Sequence, residues 1–207
     1  MSSAVRSKKI VMLFAVAIAL LVVPSAWADS IATLTMQSQT GDYIGQGQSY
    51  NLTYTQIVSA QVIQTIAGAP TELQFFVMGP TAPFALIFFG TNQLGVPMQV
   101  GSYADAQRAP FAALGHAGLD VGFDGRGSNT LTGSFNITQL VLGTDNSIQI
   151  FQANFIQHSE GNPAALYGTF TYYANALAVP EPSSLAFAGL GVLGMVAAFR
   201  KRFKAPV

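Results

Sequence analysis

Alternation over residues 29–178 constrains this chain more than any other feature. Short runs of Thr, Val, Ile, Phe and Tyr are punctuated by Gly, Pro, Asn and Asp. Successive side chains of a strand point to opposite faces, so such runs bury one face and wet the other. The pattern predicts strands near 31–38, 49–58, 61–66, 73–78, 84–89, 97–103, 119–123, 130–142, 147–157 and 167–174. Only Tyr103 to Ala113 leaves room for a helical turn. Many short strands without helices imply an all-β domain, an antiparallel β-sandwich of jelly-roll type. Its clearest unit is a long hairpin over 130–157, turning at Gly143-Thr144-Asp145-Asn146.

Charge separates this region from both ends. Of nine Lys and Arg, only Arg108 and Arg126 lie within it, facing Asp29, Asp42, Glu72, Asp105, Asp120, Asp124, Asp145 and Glu160. The region is therefore acidic and lysine-free, although the whole chain sums to zero. A polyanion such as nucleic acid is excluded as a partner. With no cysteine, disulfides, thiol catalysis and Cys-ligated metals are excluded too.

The N-terminus has Arg6, Lys8 and Lys9, then an apolar run from Ile10 to Val23, then Pro24 and Ser25-Ala26-Trp27-Ala28. Small residues at Ala26 and Ala28 suit signal peptidase, so residues 1–28 read as a secretory signal peptide cleaved after Ala28. The run is shorter than the roughly 18–20 residues that a retained membrane anchor favours. At the C-terminus, Val179-Pro180-Glu181-Pro182 precedes an apolar stretch, which predicts a single transmembrane helix over 184–199. Arg200, Lys201, Arg202 and Lys204 follow as a basic tail over 200–207 and should remain cytoplasmic. A tail removed for a glycolipid anchor ends hydrophobic, whereas this one ends basic. Three segments are thus expected: 1–28 signal peptide, 29–178 ectodomain, 179–207 sorting signal.

Motif, helix and basic end, in that order, closely resemble the bacterial PEP-CTERM sorting signal. The resemblance implies handling by exosortase, an integral-membrane cysteine protease, in a Gram-negative envelope. Cleavage near Pro-Glu-Pro would release or transfer the exported part to the cell surface or exopolysaccharide matrix. The chemistry is consistent: two prolines fix φ and remove two backbone donors, holding the segment extended where a membrane protease can grip it.

A second resemblance spans parts of the ectodomain: Gly41-Asp42-Tyr43-Ile44-Gly45-Gln46-Gly47-Gln48, Arg108-Ala109-Pro110-Phe111, Gly118-Leu119-Asp120, the stretch Gly125 to Gly133, and Gln157-His158-Ser159-Glu160-Gly161 through Gly168. These look like a family of exported bacterial β-domains with no established activity. That family's pattern has Cys where this chain has Ser128 and Ser159. The two serines lie almost equally far from the hairpin turn, so they should face each other, and changing both to Cys should form a disulfide.

Candidate chemistry is sparse. His116 and His158 are the only histidines, and no G-x-S-x-G elbow is present. His158, Ser159 and Glu160 are adjacent in sequence, which in a strand does not bring their side chains together. A histidine at a hairpin end making a structural hydrogen bond is the plainer reading, so no catalytic residue is assigned. Asp120, Asp124 and Asn129, among glycines, offer oxygen ligands for Ca²⁺, but their spacing departs from the calcium-loop pattern. Pairing of Asp124 with Arg126 or Arg108 is the simpler use, and no metal or cofactor is assigned. Tyr43, Tyr50, Tyr54, Tyr103, Tyr167, Tyr172 and Tyr173 either cap the core or stack on sugars. The expectation is a non-enzymatic surface or matrix protein, structural or adhesive. A carbohydrate-binding module is the alternative, and a hydrolase a more distant one.

Overall fold

The computed structural model describes residues 30–109 and 111–174, which belong to one compact unit, Ala28–Leu177. It is all-β apart from one short 3-10 turn, Asn92–Leu94. The strands are β1 (Ile31–Ser38), β2 (Ser49–Tyr54), β3 (Gln56–Ile66), β4 (Ala69–Met78), β5 (Ala85–Gly90), β6 (Gly101–Arg108), β7 (Gly118–Phe123), β8 (Leu131–Leu142), β9 (Ile148–Ser159) and β10 (Ala165–Tyr173).

All ten form one hydrogen-bonded sheet, ordered β2-β1-β10-β9-β8-β6-β7-β5-β4-β3. The two edge strands, β2 and β3, are consecutive in the chain, separated only by Thr55. One nearly continuous arm thus joins the sheet's two margins and makes it almost a barrel. The sheet curls so that its halves pack face to face. Phe75 of β4 lies 5.1 Å from Phe151 of β9 and 4.8 Å from Phe170 of β10, ring centre to ring centre. Phe89 of β5 meets Phe151 at 5.0 Å and Phe135 of β8 at 5.2 Å. Offset and edge-on rings at these distances favour one core over two. Ala32, Leu34 and Met36 alternate into that core from β1, as do Leu73, Phe75 and Val77 from β4.

The all-β expectation holds, and the expected hairpin is present as β8 and β9. Three finer expectations are corrected. The strands form a single continuous sheet rather than two separate ones. It is mixed rather than wholly antiparallel, because β6 and β7 run parallel at Gln107–Gly118 and Arg108–Leu119. And 103–108 is strand, not helical turn: β6 pairs with β8 across a bulge, with Asp105 at φ 51°. A bulge admits a residue that the regular ladder cannot, so pairing with β8 overrides the helical leaning of Ala-Asp-Ala-Gln.

Among the described residues no helix is long and apolar enough to cross a membrane. The expected helix over 184–199 and the signal peptide lie outside those residues.

Candidate functional site

The base of the β8–β9 hairpin gathers most of the residues singled out in the sequence. Strand β7 parts from β6 after two residue pairs, so the backbone of Val121 lacks a neighbouring strand on that side. Gln157, projecting inward from β9, fills the gap. Its Oε1 accepts from Val121 N–H at 2.9 Å and its Nε2 donates to Val121 C=O at 3.2 Å. The side chain does what a strand would do, and a buried amide is acceptable only on those terms. Gln157 Nε2 also reaches Ser128 Oγ at 3.4 Å, and Ser128 Oγ donates to Ser159 Oγ at 2.7 Å. Both serines are buried, and they face each other as expected.

Outside this buried row the polar groups become ion pairs and turn contacts. Arg108 Nε meets Asp120 Oδ2 at 3.1 Å. Burial pushes the Asp120 carboxyl up, and the Arg108 hydrogen bond and charge pull it back. Arg126 Nη1 meets Asp124 Oδ2 at 3.3 Å, while Arg126 Nε donates to the Ile44 carbonyl at 2.8 Å. That arginine therefore ties the β7–β8 connection to the β1–β2 loop. Glu160 accepts from the Asn129 amide and from Thr130 N and Oγ1, and these donors, the Asn129 amide first, hold its carboxyl below the usual range. Asp120 and Asp124 are thus spent on arginines, and the Asn129 backbone on Glu160 and Arg108. Among the described residues no group of three or more His, Asp or Glu is placed to hold a metal ion.

The histidines come together in a way their sequence positions did not suggest. His116 and His158 line one shallow groove of about 430 Å³ with Asp105 and Ser134. His116 Nδ1 binds the Asp105 carbonyl at 2.9 Å, and His158 Nδ1 binds the Pro163 carbonyl at 3.0 Å. Among the described residues neither imidazole hydrogen-bonds a hydroxyl or a carboxylate, so the groove holds no nucleophile–base pair. The structural hydrogen bond expected for His158 is present.

The tyrosines divide. Tyr54 is fully buried, its hydroxyl donating to Pro83 C=O at 2.9 Å, and burial drives its pKa upward. Tyr172 is in the core, Tyr50 packs edge-on against Phe123 at 4.7 Å, and Tyr103 stacks on Phe135 at 4.8 Å. Tyr43, Tyr167 and Tyr173 are exposed. A feature that sequence reading missed is a depression of about 940 Å³ across the outward faces of β1, β10, β9, β8 and β6, with Tyr167 in its wall. Period-2 alternation marks those positions as solvent-facing but gives no sign of their neighbours across the sheet.

Val179, Pro180, Glu181, Pro182, Arg200, Lys201, Arg202, Lys204, Ala26 and Ala28 all lie outside the described residues. Comparison with known families speaks to the C-terminal set: residues 178–202 match the PEP-CTERM protein-sorting motif. No curated protein matches the chain. No solved structure matches it either.

Proposed function

We propose that this is an exported bacterial surface or exopolysaccharide-matrix protein whose C-terminal segment is read by an exosortase-type membrane protease. The sorting-motif match over 178–202 carries the reading. The supporting chemistry is an N-terminal segment of signal-peptide form ending Ala26-Trp27-Ala28, with signal peptidase as its processing partner. A transmembrane helix over 184–199 and its basic stop would hold the chain in the inner membrane until it is cut near Pro182. The ectodomain, sandwich-like in the face-to-face packing of one curled sheet, is a structural or adhesive passenger rather than an enzyme. Its groove histidines lack any catalytic partner among the described residues, which favours that reading over a hydrolase. A carbohydrate-binding module is the second reading, favoured by the depression beside Tyr167.

Replacing Pro180, Glu181 and Pro182 together by Ala tests the sorting role in cells that carry the protease. The variant should accumulate full-length in the inner membrane while the parent chain reaches the surface. Equal surface delivery of both would overturn the proposal.

A further inference from the structure

The outward face of β2, β1, β10, β9, β8 and β6 carries an order that no single strand shows. Strand registers align Asn51, Thr35, Thr169, Asn154, Asn136 and Ser102 in one row, one residue per strand. With strands ~4.8 Å apart, the row is about 24 Å long. None of its own positions is Asp, Glu, Lys or Arg, and in the rows on either side the charged residue is Asp105, at the β6 bulge opposite Ser134. The other charged residues of the described chain lie elsewhere, as in the Arg108–Asp120 and Arg126–Asp124 pairs.

Within the row the amides are oriented. Thr169 Oγ1 donates to Asn154 Oδ1 at 2.8 Å, and Ser102 Oγ donates to Asn136 Oδ1 at 2.9 Å. The side-chain carbonyls of Asn154 and Asn136 are each occupied by a neighbour's hydroxyl. The amide nitrogens of Asn154 and Asn136, with two donors each, have no protein partner among the described residues. Asn154 and Asn136 are direct cross-strand partners, which places their Cβ atoms roughly 5 Å apart. Beside them the depression of about 940 Å³ is walled by Tyr167 and Ile156, themselves cross-strand partners. Tyr167 is 40% exposed, an aromatic ring with its hydroxyl on a wet surface.

We infer that this face binds a neutral polysaccharide chain lying along the row. The occupant follows from charge and hydrogen-bond chemistry. A face whose formal charge is the single acidic Asp105 at its margin has no cation to pair with a polyanion and would repel one. Fixed amide donors and hydroxyls match a polymer made of hydroxyls and ether oxygens. The Tyr167–Ile156 wall gives the apolar C–H face of a sugar ring somewhere to rest. Depth is not needed, since a polymer gains by repeating weak contacts along a strip. This deepens the surface-protein reading and rests on it for its biological setting, though the binding itself does not depend on the tail.

Affinity electrophoresis tests it. The full chain in mild detergent is run through native gels containing hydroxyethylcellulose, galactomannan or dextran, with alginate as the charged comparison. Retardation by at least one neutral polymer is expected, absent or weaker with alginate. The double change Asn136→Ala and Asn154→Ala, and separately Tyr167→Ala, should each weaken that retardation about tenfold, a loss in keeping with a hydrogen bond or an aromatic contact. Tyr43→Ala, exposed in the β1–β2 loop, should leave it unchanged. Unchanged thermal unfolding of the variants separates lost binding from lost folding, and where a variant unfolds early, Asn154→Asp replaces it, adding charge at near-constant volume. No retardation by any neutral polymer overturns the inference. So does retardation by alginate alone, self-association in place of polymer binding, or variants that bind like the parent. Loss of tail processing would sink the sorting reading and leave this result standing, and the converse also holds.

Discussion

The two long hairpins, β8–β9 and β3–β4, have similar composition and opposite fates. In β8–β9 both strands are interior to the sheet, flanked by β6 and β10, and their inward residues Phe135, Ile137, Phe151, Ala153 and Phe155 are buried. In β3–β4 the second strand is interior, between β5 and β3, but β3 pairs only with β4 and is a margin. Over Gln56–Ile66 it has no charge and no proline, the residues that usually protect an edge. It has register shifts instead. Val58 and Ile63 fall at two of them and are 54% and 42% exposed. An extra residue at each shift breaks the ladder and twists it, so the strand presents no long regular edge to another chain. The same period-2 chemistry builds a core where strands flank it on both sides and a blunted edge where one side is open.

Removing a ring from the interior hairpin should have the largest effect. Phe151→Ala deletes contacts to Phe75, Phe89 and Phe170 at once, and should lower unfolding free energy by about 3–5 kcal/mol in a denaturant titration. A loss as small as that of an edge substitution would break the comparison. Next comes a gain. The double change Ser128→Cys and Ser159→Cys, at the hairpin base, should close a disulfide and add about 3–4 kcal/mol that reductant removes. Two thiols that stay free under oxidising conditions would show that the serines do not face each other. Gln157→Ala should cost about 1–3 kcal/mol, since the Val121 N–H and C=O lose their partners. Amide exchange at Val121 should speed up, which simple loss of side-chain volume elsewhere would not produce.

On the β3–β4 side the most informative change is at Glu72. Its Oε2 and the neighbouring Thr71 Oγ1 are buried without a partner among the described residues, beside a register shift. Burial raises the Glu72 pKa, so the folded state holds the proton more tightly than the unfolded chain does. Its contribution to stability is complete below the unfolded value of ~4.3 and is lost as pH rises through the higher folded value. Glu72→Gln should therefore gain on the parent as pH increases from about 4 to neutral, read from midpoints at each pH. A constant difference across that range would reject a raised Glu72 pKa in the folded state. The smallest effect belongs to the margin itself. Val58→Ala should stay within about 0.5 kcal/mol, and a larger loss would mean that the bulge packs more than its exposure shows.

Much of this fold was legible in the chain. All ten strands fall at or near the segments that alternate, because period-2 burial is written directly into side-chain order. What was hidden is pairing. The sequence shows which residues face inward but not which strands hydrogen-bond, so one curled sheet and two stacked sheets look alike. The break between β2 and β3 shows the limit: it falls at Thr55, not near Ser59, because Gln56 and its successors pair with β4 rather than continuing beside β1. Strand β6 begins later than the expected 97–103 for a related reason. Pro97 and Met98 sit in a loop, with Met98 N–H donating to Pro70 C=O at 2.7 Å, and the strand starts at Gly101. Of the candidate site, the facing serines were readable from spacing along the hairpin and the Asp124–Arg126 pair from sequence proximity, whereas Arg108 pairs with Asp120 rather than with Asp124. The Gln157 surrogate strand, the shared histidine groove and the six-residue polar row were not, since each is made by strands distant in sequence.

The central claim is that 29–178 is a passenger and both ends are addresses removed in transit. Intact-mass measurement of the chain recovered from the cell surface tests this most directly. The account predicts a single species that begins at Asp29 and ends near Pro182, without the apolar run or Arg200, Lys201, Arg202 and Lys204. A full-length mass, recovered from the cytosol with both ends in place, would contradict it.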